Sequence, residues 1–281
     1  VSKGFFLVAQ NSKSVNYIEQ AYALALSIKA TQRDVRAVSI MTNDPVPKKY
    51  LKVFDQVVPI PWSDLAYNPD WKIENRWKIY YATPYDETIV LDTDMLLLDD
   101  ISYWWEYCNR SNLKFCNRVK NYKQEIFYKD PYHRLAFNDN NLTNPYFALH
   151  YFKKNNDESL AFYKALEFVS QNWQECYKLF APNSYQNWLS MDLASAIAIE
   201  ITGLYDAVVD TVSPLEFIHM KVPLQNWISP HISWQDAVSY VLTRDGKLII
   251  GNIKQPQLVH YVEKNFLNKK IITRLQEMAN V

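Results

Sequence analysis

Asp92 and Asp94 stand inside an otherwise apolar run, Thr88-Ile89-Val90-Leu91-Asp92-Thr93-Asp94-Met95-Leu96-Leu97-Leu98. In an extended chain, side chains two apart face the same side, and two like charges buried together are costly. A divalent cation removes that cost. Carboxylate oxygens are hard ligands and suit Mg2+ or Mn2+, which also bind substrate phosphates. The structural alternative is that both residues cap the strand end by accepting hydrogen bonds from backbone amides.

The elements around this pair determine what it can face. Gly4 to Ala9, carrying Phe5-Phe6-Leu7-Val8, reads as a buried strand. Asn16 to Ala30 reads as a helix with Ile18, Ala21, Tyr22, Ala25 and Ile28 on one face. Arg36 to Met41 and Gln56 to Ile60 read as strands, with a short helix expected over Pro47 to Phe54. Glu74 to Ala82 reads as a helix, and Thr88 to Leu91 as the strand that delivers Asp92. Alternating strands and helices predict an α/β fold, a mostly parallel sheet flanked by helices, with ligands at the carboxyl ends of the strands. The segments at those ends are Gln10-Asn11, Thr42-Asn43-Asp44 and Asp92-Thr93-Asp94.

Further along, Leu113 to Asn117 and Tyr146 to Phe152 read as strands, Asn138 to Asn144 as a polar loop, and Asp157 to Trp173 and Asp192 to Ile201 as helices. Val241 to Ile250 reads as a hairpin turning on Asp245-Gly246 in a type I′ turn. Leu258 to Val262 reads as a last strand and Lys269 onward as a last helix. No repeat or linker divides the chain, and 281 residues suit a single domain.

Composition narrows the function. The 30 basic and 30 acidic residues cancel, so the positive excess that non-specific nucleic-acid binding uses is missing. With four glycines, the chain holds neither a Walker A pattern nor Gly-x-Gly-x-x-Gly. Aromatic residues reach 15% and suit both core packing and stacking on sugars or bases. Cys108, Cys116 and Cys176 form neither a metal signature nor a disulfide framework, which points to a reducing compartment. No apolar run approaches the ~20 residues of a membrane span, and Val1-Ser2-Lys3-Gly4 does not open a signal peptide. The expected location is the cytoplasm.

From Trp77-Lys78 through Pro84-Tyr85-Asp86-Glu87-Thr88 into Leu91-Asp92-Thr93-Asp94, the chain resembles the GT-A glycosyltransferases, in particular the glycogenin-like retaining family. The resemblance implies transfer of a sugar from a nucleotide-sugar donor, with a UDP-sugar the expected one. Asp92 and Asp94 would hold a Mn2+ or Mg2+ ion bridging the diphosphate, with Asp92 and Thr93 lying against the nucleotide. Tyr17 matches the tyrosine that stacks on the base, and Ala9, Gln10 and Asn11 fall where base and ribose are contacted. Arg76 and Lys78 stand where a basic residue reaches the donor.

In the same resemblance, Leu258-Val259-His260-Tyr261-Val262-Glu263-Lys264 matches the segment whose histidine completes the metal site and whose lysine touches the diphosphate. Lys264 follows His260 by four residues where the family has six, and the family's intervening glycine is absent. His219 and Lys221, expected in a loop, are further candidates. Residues 1–117 would form the nucleotide-binding half, and 118–281 the acceptor half with a C-terminal lid.

Two departures bear on the sugar. The family's Asn-Ser-Gly is Pro145-Tyr146-Phe147 leading into Ala148, and its Asp-Gln-Asp is Ser190-Met191-Asp192. Asp192 is therefore the candidate for contacting the donor sugar, with Lys264 or Lys78 steadying the leaving diphosphate. The acceptor is a glycan, a protein or a nucleobase; scarce Gly beside abundant Asn, Lys, Ile and Tyr suits an AT-rich genome such as a virus's. Other readings are a haloacid-dehalogenase-type phosphatase, which shares Asp-x-Asp but carries it after the first strand, and a sugar-nucleotide binder that has lost turnover.

Overall fold

The computed structural model describes residues 1–70, 72–127, 134–209, 212–225, 227 and 232–281. β1 (Lys3–Val8) buries Phe5, Phe6 and Leu7 completely, each worth about 1.5–3 kcal/mol of transfer free energy. The next element, α1 (Tyr17–Thr31), is capped by Asn16, whose side chain accepts from the Glu19 N–H at 3.0 Å. Then follow β2 (Val38–Met41), β3 (Gln56–Val58), α2 (Ile79–Ala82), β4 (Glu87–Leu91), β5 (Met95–Leu97), α3 (Ser102–Cys108), β6 (Leu113–Cys116), β7 (Arg118–Lys120), β8 (Ile126–Phe127) and α4 (Leu135–Asp139). The remainder comprises β9 (Tyr146–Lys153), α5 (Asp157–Gln171), α6 (Trp173–Phe180), α7 (Met191–Thr202), β10 (Glu216–His219), α8 (Trp234–Ala237), β11 (Tyr240–Leu242), β12 (Leu248–Ile250), β13 (Ile253–Lys254), β14 (Leu258–His260) and α9 (Lys269–Ala279).

A six-stranded sheet runs β3-β2-β1-β4-β9-β6. Its first four strands pair in parallel, and β9 is antiparallel to β4 and β6. This is the mixed, mostly parallel sheet that the strand–helix alternation predicts. Because β9 lies between β4 and β6, the segments before and after residue 117 share one sheet. A second sheet, β5-β14-β10-β7-β8, was not legible in the sequence. Asp92-Thr93-Asp94 is the turn that carries the chain from β4 in the first sheet to β5 in the second. Both sheets grip it: the Asp92 N–H donates to the Ala148 carbonyl at 3.1 Å, and the Tyr261 N–H to the Asp94 carbonyl at 3.0 Å.

Other local expectations are corrected. Pro47 to Phe54 forms consecutive turns with i→i+3 bonds, Tyr50 N–H to Pro47 O at 2.8 Å and Val53 N–H to Tyr50 O at 3.2 Å. So short a segment gains too few i→i+4 bonds to offset helix nucleation. Glu74 to Ala82 enters α2 through a 3-10 turn at Arg76–Lys78, tethered where Asn75 accepts from the Leu65 N–H and donates to Gln10. In the β11–β12 hairpin, Thr243 pairs with Lys247 across a three-residue loop, and of Asp245-Gly246 only Gly246 has positive φ, +78°. A type I′ turn needs positive φ at both central residues, so this is the three-residue loop instead. The strand expected over Leu258 to Val262 ends at His260, because Val262 has φ +63°. His219, expected in a loop, closes β10, which is held by parallel pairing with β7 and β14.

The C-terminal segment is packed into the body: β14 lies between β5 and β10, and Gln276 of α9 donates to the Tyr22 hydroxyl at 2.9 Å. Gly4 permits a close approach, since a Cβ there would lie 2.4 Å from the Tyr85 ring. No helix among the described residues is long and apolar enough to cross a membrane.

His150 on β9 is fully buried between the rings of Phe115 and Phe147, with Nδ1 2.8 Å from the Phe147 carbonyl and Nε2 2.7 Å from the Tyr163 hydroxyl. Burial pulls its pKa down to about 3. The unfolded chain therefore takes up a proton on His150 below its ordinary value of about 6.5, while the folded chain does not. Stability from this residue is complete above that value and is lost as pH falls toward 3. Between pH 7.5 and 5 the expected loss from this residue is about 2 kcal/mol. Urea unfolding of the wild type and His150→Gln at the two pH values checks this, and an equal loss in both proteins would refute it.

Candidate active site

The Asp92–Asp94 turn opens onto a cleft of about 190 Å3 whose walls include Arg76, Tyr146, Trp188, Asp192, His219 and His260. Opposite β5, the antiparallel pairing of β14 sets His260 against Met95, one residue past Asp94. His260 Nε2 lies 2.9 Å from Asp94 Oδ2. The ligand atoms of Asp92, Asp94 and His260 all lie within 4.8 Å of one another. Two carboxylates and one imidazole are a donor set that fits a divalent cation such as Mn2+, with Mg2+ less suited to the imidazole. The His219 ring stacks on that of His260, centroids 4.8 Å apart and planes within 7°, and so restrains its orientation.

Cations flank the carboxylates. Arg76 donates to Asp92, and Lys264 donates to Asp94. Burial works to raise the Asp94 pKa, but His260 and Lys264 at hydrogen-bonding distance outweigh it and hold the carboxyl well below its usual range.

Lys264 reaches Asp94 across only four residues because of the turn that follows β14. Val262 takes the left-handed conformation, and the Glu263 N–H closes a tight turn onto the Tyr261 carbonyl at 2.6 Å. A β-branched residue there costs on the order of 1–3 kcal/mol. The turn is held by its surroundings: Glu263 accepts from the Ser233 hydroxyl and from the Trp234 N–H at 3.0 Å, and Trp234 Nε1 donates to the Tyr261 carbonyl at 2.9 Å. The Lys264 ammonium lies 5.5 Å from the centre of the Tyr17 ring, which stands at the first turn of α1.

Lys78 goes elsewhere. Its ammonium donates to the Ser63 carbonyl, its side chain is buried beside Trp77, and it does not line the cleft. Lys221 also lies outside the cleft walls. At the carboxyl end of β1, Ala9 is buried, and Gln10 donates to Asp64 at 3.0 Å while accepting from Asn75 at 3.0 Å. Asn11 accepts from the Ile18 N–H at 3.1 Å, and its own N–H donates to Asp44 at 2.6 Å. The segments Gln10-Asn11 and Thr42-Asn43-Asp44 therefore meet, as their strand-end positions predict. Asp64 joins them from a loop that carried no sequence signal, and Asn75 from the start of the segment expected to be helical. Thr93 is buried between the two aspartates.

Asp192 also lines the cleft, in the first turn of α7 behind the Ser190 cap. It accepts from the Phe147 N–H at 2.8 Å and from Arg134 at 2.7 Å. Neither Arg134 nor the cleft residue Trp188 was identifiable beforehand, since an isolated Arg or Trp has no pattern to mark it.

No protein-family model matches the chain, and no curated protein matches it in sequence. Solved structures do match. The galactosyltransferase LgtC, in complex with donor and acceptor sugar analogs, aligns at TM-score 0.53 over 99% of this chain and 95% of LgtC, with 13% identity. The chain has the GT-A glycosyltransferase fold. An active-site mutant of LgtC aligns over the same shares at TM-score 0.52 and 14% identity. Apo GlyE of Streptococcus pneumoniae TIGR4 aligns at TM-score 0.46 and 10% identity over 100% of this chain, which spans 61% of GlyE. In the GT-A frame the Asp92–Asp94 turn follows a central strand, as the Asp-x-Asp resemblance implied.

Proposed function

We propose that this protein transfers a sugar from a nucleotide-sugar donor, UDP-linked, to an acceptor hydroxyl, using Mn2+ or Mg2+ held by Asp92, Asp94 and His260. The observation that carries this reading is the convergence of those three side chains from two sheets of a GT-A fold, with Asp92 and His260 on the wall of one cleft. LgtC, with its donor and acceptor sugar analogs, supports a bisubstrate cleft of this kind. The cation would bind the diphosphate and offset its charge as the bond to the sugar breaks.

The chain's own groups supply the rest. Tyr17 offers a ring face to the base, and Ala9, Gln10, Asn11 and Thr93 border the base and ribose. Lys264, already beside Asp94, is the lysine placed to meet the departing diphosphate, and Arg76 beside Asp92 meets the donor from the other side. Asp192 accepts hydrogen bonds from sugar hydroxyls and faces positive charge developing at the sugar carbon. The chain's zero net charge favours a glycan or protein acceptor over DNA.

The test is hydrolysis and transfer with a panel of nucleotide sugars in Mn2+ and in EDTA. Metal-dependent release of UDP, with an α-linked product from an α-linked donor by NMR, is expected. Equal turnover in EDTA overturns the metal assignment, and a β-linked product overturns retention alone. Metal-dependent binding with neither hydrolysis nor transfer identifies an inactive binder.

A further inference from the structure

Arg134 is 2% exposed, yet its guanidinium connects three elements. One amino group donates to the Pro145 carbonyl at 3.2 Å and another to Asp192 Oδ2 at 2.7 Å. Its central carbon lies 3.6 Å from the centre of the Tyr146 ring, itself on the cleft wall, and 4.9 Å from that of Phe137. Planar stacking on Tyr146 and the fork of donors leave the guanidinium little freedom.

Asp192 is the group so fixed. Each of its oxygens spends one acceptor position inward, Oδ1 on the Phe147 N–H and Oδ2 on Arg134, and its side chain remains 30% exposed on the cleft. A carboxylate has about four acceptor positions, so one on each oxygen stays open to the cleft. Without Arg134, the side chain could rotate about its remaining bond to the backbone.

We infer that Arg134 is a positioning residue: it orients Asp192 so that its free acceptor positions meet the hydroxyls of the transferred sugar, without touching the sugar itself. This rests on the reading of Asp192 as the sugar-facing carboxylate. A misplaced acceptor costs turnover more than affinity, because alignment is needed chiefly in the transition state.

A double-mutant cycle on the full chain tests it. Arg134→Met keeps an unbranched apolar stem beside Tyr146 while removing the guanidinium and its donors. It is expected to lower kcat/KM for the donor by about 30-fold with UDP affinity unchanged within about 2-fold. In an Asp192→Ala background the same change is expected to cost less than about 3-fold, because no carboxylate remains to orient. An equal cost in both backgrounds means that Arg134 serves only as scaffold and overturns the inference. If Asp192→Ala alone leaves kcat/KM unchanged, the assignment of Asp192 fails instead. Should Arg134→Met not fold, Arg134→Lys enters the same cycle: it keeps the charge but cannot serve Pro145 and Asp192 together. The same non-additivity is expected, and its absence refutes the inference.

Discussion

Asp94→Asn is expected to weaken Mn2+-dependent UDP binding by on the order of 100-fold, or about 3 kcal/mol. Asp94 is the carboxylate to which His260 and Lys264 both bond. A neutral amide is a poorer ligand for a hard cation, and it gives Lys264 no anion to rest on. Calorimetry of UDP in Mn2+ and in EDTA reads the effect; unchanged metal-dependent affinity would sink the assignment. Two aspartates at spacing two suggest from sequence alone that removing one relieves repulsion. The structure reverses that expectation, because Arg76 neutralises Asp92 and Lys264 neutralises Asp94. Asp94→Asn is therefore expected to lower the melting temperature in EDTA.

Asp192→Asn is expected to bind UDP with wild-type affinity while losing about 100-fold in turnover. UDP carries no sugar, and Asp192 reaches the cleft from the first turn of α7, a different element from the Asp92–Asp94 turn. The substitution keeps shape but removes negative charge, so it withdraws stabilisation from developing positive charge at the sugar carbon. Asparagine retains an acceptor for the Phe147 N–H but removes the charge paired with Arg134, so the melting temperature is expected to fall while the protein still folds. Steady-state kinetics beside UDP calorimetry separates the two effects. Joint loss of UDP binding and turnover would move Asp192 out of the sugar pocket, and unchanged turnover would remove it from the reaction.

The residues that announce chemistry here do so through local conflict. Asp92 and Asp94 break an apolar run, and two carboxylates inside a segment bound for the core cannot be explained by solvation. The strand–helix alternation up to Leu91 and the Asn16 cap on α1 were legible because they depend on neighbours within a few residues. Lys264 was harder to place, since no spacing argument anticipates Val262 in a left-handed conformation.

By itself, then, the sequence determined the parallel half of the first sheet, the position of the Asp pair after β4, and Asp192 at the head of α7. Only the tertiary structure decided that β5 leaves for a second sheet, that β10 is a strand bringing His219 against His260, and that Lys264 reaches the carboxylates while Lys78 does not. It also decided the partnership of Arg134 and Asp192, 58 positions apart. Periodicity and capping are set by bonds within a few residues. Strand pairing between β5 and β14, or a salt bridge between Lys264 and Asp94, 170 positions apart, follows from which surfaces the folded core leaves to meet.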